Sequence, residues 1–267
     1  MRRITLFAKG NLDVRNSLHS FRVGGSVRWN GINELMRDRY PGALVQVRHE
    51  TWTRSDALLL ADGNVPPALA ARSLPLGAFS ATAQFSNALF GSRVDAIVLS
   101  LQPDVASTLV RHRRDGYLFY PDNWSSWPAR HRLWLEEEFA AEDVLDVAAS
   151  MHNFERIVAR LRANSDAPIL VYNLSSVVPG DSVHCHQGVA EALSTRIRRF
   201  NLALAELSQR TGISVIDVDA VVARAGADRL KLDAMHLTVE GCRGVAEEVL
   251  RVLDDLGCLS AAAVARC

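Results

Sequence analysis

Short apolar runs rich in β-branched residues recur along the chain at 4–8, 43–47, 96–99, 169–172 and 213–218, each closed by polar or turn-forming residues. Runs of this length and composition predict strands buried on both faces. Between them the apolar spacing turns helical. The segment 29–39 stops at Pro41-Gly42, 194–210 stops at Thr211-Gly212, 238–256 stops before Gly257, and 133–162 reads as one long helix. Strands alternating with helices require right-handed crossovers, and so a parallel sheet covered on both faces. The expected architecture is therefore an α/β domain of three layers, α/β/α, around five parallel strands.

Two stretches exceed what such a sheet needs. The segment 58–91 carries Pro66-Pro67, Pro75 and Gly77, and 111–132 places Tyr117, Phe119, Tyr120, Trp124 and Trp127 among Pro121 and Pro128. Loops this long are usually functional or disordered, and the aromatic content of the second argues for order. One domain spanning 1–267 with these two insertions is expected, because 267 residues is within the range of a single α/β unit.

Composition narrows the partners. Hydrophobic residues make up 48% and charged residues 22%, as in an ordinary globular chain, and 30 basic residues balance 30 acidic ones. A net charge of zero removes any composition-level reason to expect nucleic acid or an anionic membrane surface as partner. A small-molecule substrate is expected. The start has too few apolar residues before Lys9 for a secretion signal, and no apolar run approaches a membrane span, so a cytoplasmic protein is expected. The four cysteines, Cys185, Cys242, Cys258 and Cys267, show no paired spacing. Neither a cofactor nor a metal is called for.

The chemistry concentrates near the C-terminus, in Asp233-Ala234-Met235-His236-Leu237-Thr238-Val239-Glu240-Gly241. Asp233 and His236 stand three apart on a turn between the last strand and the last helix. That spacing lets a carboxylate accept the imidazole Nδ1 proton and leaves Nε2 free as a general base. The alternative is that Asp233 caps the helix and His236 packs. The run Asp-x-x-His-Leu-Thr-x-Glu-Gly before a terminal helix resembles the last conserved block of the SGNH (GDSL) hydrolase family; the helix with Arg199-Phe200-Asn201 and the strand Val215-Ile216-Asp217 fit the same order. The resemblance implies a flavodoxin-like sheet, a nucleophilic serine after the first strand, and hydrolysis or transfer of an acyl ester or thioester.

The family expects Gly-Asp-Ser-Leu directly after that strand, and here two registers compete. Gly10-Asn11-Leu12 puts leucine in the serine position. Asn16-Ser17-Leu18 keeps a serine at the expense of about six extra residues, and Ser17 is the favoured nucleophile because a hydroxyl activated by His236 is the economical use of an Asp-His pair. The competing reading of Asn16 and Ser17 is a helix cap. Gly180-Asp181-Ser182 lies after the fourth strand, where a turn explains it. The resemblance further suggests oxyanion or substrate contacts at Asn11, at the Thr51 or Trp52 amide after the second strand, and at Gln102 where the family has asparagine.

Outside that framework, Arg48 and Arg54 are candidate clamps for a substrate carboxylate or phosphate, with ion pairing to Glu50 or Asp56 as the structural alternative. Asn173 stands at the end of the fourth strand. His184-Cys185-His186 can offer metal ligands, but nothing nearby completes a set, so His184 and His186 are expected to line the substrate pocket. A serine esterase is the leading function. An acyltransferase, or a ligand-binding protein of the same fold without the serine, remains the alternative.

Overall fold

The computed structural model describes residues 2–23, 26–177 and 191–259. Five parallel strands form the central sheet: β1 (Arg2–Lys9), β4 (Ala43–Glu50), β5 (Ala96–Ser100), β9 (Ile169–Tyr172) and β10 (Ser214–Ile216), in the spatial order β10-β9-β5-β1-β4. The remaining strands are a hairpin, β2 (Phe21–Val23) with β3 (Ser26–Trp29), and a small antiparallel sheet in the order β7 (Leu118–Phe119), β6 (Val110–His112), β8 (Phe139–Ala141). β1 lies inside the sheet, between β5 and the edge strand β4, and presents apolar side chains to both faces. Ile4, Leu6 and Ala8 join one core and Phe7 the other.

The first core is closed by α1 (Leu12–Leu18), α2 (Ile32–Arg39), α10 (Val218–Ala225), α11 (Ala227–Leu230) and α12 (Val239–Asp255). The opposite core is closed by α3 (Ser55–Leu60), α6 (Gln102–Ala106), α8 (Val147–Arg162) and α9 (Leu193–Thr211). From β1 the chain crosses to β4 on one side and afterwards to β5 on the other. The direction of winding therefore reverses between β1 and β5, and a crevice opens beyond their carboxyl ends, where ligands bind in sheets of this kind. Lys9 is level with Glu50 of β4 and Leu99 of β5, which fixes the floor of that crevice.

The element boundaries follow local chemistry. Asp146, Asp217 and Thr238 cap α8, α10 and α12 by accepting the N–H groups of Ala149, Ala220 and Gly241 at 2.8, 3.0 and 3.1 Å. α9 ends at Gly212 with φ +68°, the left-handed conformation that favours glycine. Gly10 has a packing reason: a Cβ there would meet Val14 Cγ2 at 2.5 Å.

Two expectations are corrected. The long helix over 133–162 is two helices, α7 (Ala129–Glu138) and α8, separated by β8, because Phe139 and Ala140 pair with His112 and Arg111 of β6. Trp29 belongs to β3 rather than to the following helix. The second insertion consequently runs on to Ala141. Together with α4 (Pro67–Ala70), α5 (Ala81–Gln84) and α7 it packs around Phe119, Trp127, Trp134, Leu135 and Phe139, with His112 stacked on Tyr117 at 4.7 Å. Among the described residues no helix is long and apolar enough to cross a membrane.

Candidate functional site

The turn carrying Asp233 and His236 is a closed structure. Lys231 and Leu237 form an antiparallel bridge, and the Leu232 N–H donates to His236 O at 2.9 Å. Inside this loop Asp233 Oδ1 accepts the N–H groups of Met235 and His236, both at 2.8 Å. The imidazole Nδ1 sits 2.8 Å from Asp233 Oδ2 and 3.0 Å from Oδ1. Partial burial works against the charge on Asp233, but the two peptide N–H groups and the imidazole outweigh it and hold the carboxyl below its ordinary pKa. An ionised carboxylate at Nδ1 selects the tautomer with its proton on Nδ1. Nε2, which has no partner among the described residues, is then a lone-pair acceptor at a side chain 44% exposed.

Two side chains fasten the turn to the sheet. Gln102 donates its amide to Met235 O at 3.2 Å, and Lys231 Nζ donates to Ala234 O at 3.0 Å, to Ser175 O at 3.4 Å and to Val177 O. Beneath the turn lies a cavity of about 20 Å³ bounded in part by Asp13, Gln102, Tyr172, Ser175, Lys231 and Met235, enough for a single water.

Leu12 is the first residue of α1 after the β1 turn and is 42% exposed. The turn itself is rigidly held. The Asn11 N–H donates to Asp13 Oδ1 at 3.1 Å, Ser100 Oγ donates to Asp13 Oδ2, and Ser100 Oγ accepts the Gln102 N–H at 3.0 Å. Burial pushes the Asp13 carboxyl up, against the pull of the Ser100 hydrogen bond. His49 Nε2 lies 2.9 Å from Gly10 O, and burial depresses the His49 pKa to about 4, leaving a neutral ring that donates to this carbonyl. Asn11 Oδ1 is buried without a hydrogen-bond partner among the described residues.

The expectation of Ser17 as nucleophile does not survive its placement. It sits in the last turn of α1, fully buried, with its hydroxyl 2.8 Å from Asp13 O, 3.1 Å from Val14 O and 3.0 Å from the Tyr172 hydroxyl. Its helical position explains this: Val14, Ser17 and Leu18 share the face that packs on the sheet. A buried hydroxyl facing the core cannot approach a substrate.

Other expected contacts have structural duties. Arg54 is 1% exposed and grips Asp56 with Nε–Oδ1 3.0 Å and NH2–Oδ2 2.7 Å, while NH1 donates to Asp143 O at 2.8 Å; it is no substrate clamp. Thr51 is 9% exposed, its hydroxyl donating to Ala78 O at 2.5 Å. Asn173 bridges Asp217 Oδ1 and the Asp219 N–H at 2.9 and 3.2 Å. Gln102 spends its amide on the Asp233–His236 turn rather than on an oxyanion. Arg48 lies over the Phe7 ring at 5.2 Å. His184, Cys185, His186 and the Gly180-Asp181-Ser182 turn lie outside the described residues, within which no cluster of three or more metal-ligating side chains occurs.

Lys231, Asp13, Ser100 and His49 were not singled out from sequence. Leu230-Lys231-Leu232 reads as a polar residue between two apolar ones, the pattern of an exposed charge, yet Leu232 is exposed and Lys231 buried.

The chain matches no protein-family model and none of the curated proteins. Among solved structures it is similar to LAE5, an α/β hydrolase enzyme from the metagenome of Lake Arreo, Spain, at 14% identity and TM-score 0.51, with 97% of each chain covered. It is similar as well to Axe2, an acetylxylan esterase from Geobacillus stearothermophilus (12% identity, 94% of this chain and 93% of that one, TM-score 0.50), and to the acetyl xylan esterase AlAXEase (12% identity, 94% and 100%, TM-score 0.50). At these identities the likeness establishes a shared fold alone, the α/β fold expected from the sequence.

Proposed function

We propose that the protein is an acyl hydrolase in which the Asp233–His236 pair activates water directly, without a serine nucleophile. The observation that carries this reading is the 2.8 Å contact from His236 Nδ1 to Asp233 Oδ2, and the Gly10-Asn11-Leu12 register, which puts leucine in the serine position, supports it. The similarity to esterase structures supports the reaction class as an analogy of fold.

In the proposed reaction His236 Nε2 takes a proton from a water molecule as its oxygen attacks the ester carbonyl carbon. The carbonyl oxygen becomes an oxyanion. The Leu12 N–H, at the open first turn of α1, is the donor available to it. Collapse breaks the bond to the alcohol oxygen, the imidazolium returns its proton to that oxygen, and the free acid and alcohol leave. Asp233 stays ionised throughout and stabilises the imidazolium. Asn11 Oδ1, buried and unpartnered among the described residues, is a candidate acceptor for a hydroxyl or amide of the substrate.

The departures at Leu12 and Gln102 favour a second reading, a ligand-binding protein that has kept the fold without turnover. Hydrolysis of p-nitrophenyl acetate by the wild type, abolished in His236→Ala, supports the hydrolase. Equal rates in both proteins would overturn the role of His236, and a fluorophosphonate adduct on any serine of the wild type would overturn the water mechanism. An inert wild type would leave the ligand-binding reading.

A further inference from the structure

Lys231 is 6% exposed, and no carboxylate among the described residues lies within ion-pair distance of it. Its three ammonium hydrogens meet three main-chain carbonyls instead, Ala234 O within the turn and Ser175 O and Val177 O on the segment leaving β9. A buried, unpaired ammonium is costly, and an apolar residue of similar length would fill the same space without that cost. The carbonyl it holds in the turn has a particular importance. Ala234 O and the Met235 N–H are the two ends of one peptide unit, and that N–H donates to Asp233 Oδ1 at 2.8 Å. Asp233 in turn carries His236. The Met235 carbonyl on the next peptide is fixed by Gln102.

We propose that Lys231 is a positioning residue for the Asp233–His236 pair: its ammonium orients the Ala234–Met235 peptide unit, which sets the Asp233 carboxylate against the imidazole, and joins this turn to the segment after β9. The proposal deepens the acyl-hydrolase reading, although its geometric part stands without it. It makes the turn sensitive to the protonation of Lys231. Burial depresses that ammonium to about 8, against the opposing pull of Asp219 on α10 and Asp233 on the turn; Asp13 of α1 borders the same small cavity. Loss of a proton removes one of the three donors and leaves a lone pair facing a carbonyl.

The test follows the His236 ring resonances by NMR as a function of pH in the wild type, Lys231→Arg and Lys231→Met, with near-ultraviolet circular dichroism as the check on folding. The expected wild-type curve has a step near pH 8 that is absent in Lys231→Arg, whose guanidinium stays charged throughout the titration. In Lys231→Met that step is absent and the ring shifts differ from wild type at every pH. Absence of the step in the wild type, or a folded Lys231→Met with unaltered His236 shifts, would overturn the proposal. Should Lys231→Met fail to fold, the wild-type and Lys231→Arg curves decide. With p-nitrophenyl acetate, Lys231→Met is expected to lose roughly 10- to 100-fold in kcat with KM little changed, and Lys231→Arg to recover most of it. A wild type that hydrolyses no ester while its ring shifts respond to Lys231 sinks the hydrolase reading and leaves the positioning role standing.

Discussion

Gln102, the first residue of α6, donates its side-chain amide to the main-chain oxygen of Met235 at 3.2 Å, across 133 positions of sequence. Its own N–H donates to Ser100 Oγ, which donates to Asp13, which accepts the N–H of Asn11. One chain of hydrogen bonds thus links the turn bearing Asp233 and His236 to the turn bearing Leu12, through Ser100 at the end of β5. The two turns are held in register by it.

Removing either member of the pair should abolish most turnover. Asp233→Asn and His236→Ala are each expected to lower kcat by about 10²- to 10⁴-fold, the span of general acid–base contributions. The expected signature of Asp233→Asn is a loss in kcat with little change in KM, measured by steady-state hydrolysis of p-nitrophenyl acetate.

Leu12→Ser should create what the fold lacks. In the Gly10-Asn11-Leu12 register residue 12 takes the serine position, so the variant is expected to acquire a fluorophosphonate adduct there, detectable by intact-mass spectrometry. The wild type is expected to show none, and an unlabelled Leu12→Ser would remove residue 12 from the reach of His236.

Ser17→Ala bears on stability instead. The substitution strips a buried hydroxyl from the Tyr172 phenol, so a loss of about 1–3 kcal/mol is expected for the group left unpaired, with esterase activity retained. Urea unfolding and a rate assay on the same preparation check both halves.

Asp104 should give the stability a pH dependence opposite to that of most carboxylates. It is 1% exposed, and burial raises its pKa to about 6, against the hydrogen bonds it accepts from the Ser150 hydroxyl and from the hydroxyl and N–H of Ser55. With a folded value above the unfolded value near 3.8, the native state binds the proton more tightly, so this contribution is present at pH 4 and is lost as pH rises through 6. Unfolding of Asp104→Asn is expected to show a weaker decline across that interval.

Lys231 acts in the alkaline range with the reverse sign. Its folded pKa of about 8 lies below the ordinary 10.5, so the unfolded chain holds more protons between those values and stability should rise with pH there. Lys231→Met is expected to flatten that rise in denaturant titrations between pH 8 and 10.5.

Apolar runs and turn residues were enough to place the five parallel strands and the helices α2, α9 and α12, because burial leaves a periodicity that local sequence carries. The Asp233–His236 contact was legible for a similar reason: both groups lie on one four-residue turn, and only short-range geometry is needed to bring them together. Helix 133–162 failed where a long-range choice intervened, since Phe139 could continue a helix or pair with β6, and the pairing buries its ring against His112 and Trp134. Ser17 failed in the same way. A serine near the expected position looks alike in sequence whether it faces a crevice or a core, and the 100° advance per residue of α1 turned it inward to Tyr172 while leaving Leu12 at the surface. The duties of Gln102, Arg54 and Lys231 depend on main-chain carbonyls contributed by distant segments, and a carbonyl has no residue identity to read. Sequence alone determined the sheet and the contact between Asp233 and His236; tertiary packing decided which residues face that turn, because facing is a property of contacts between segments far apart in the chain.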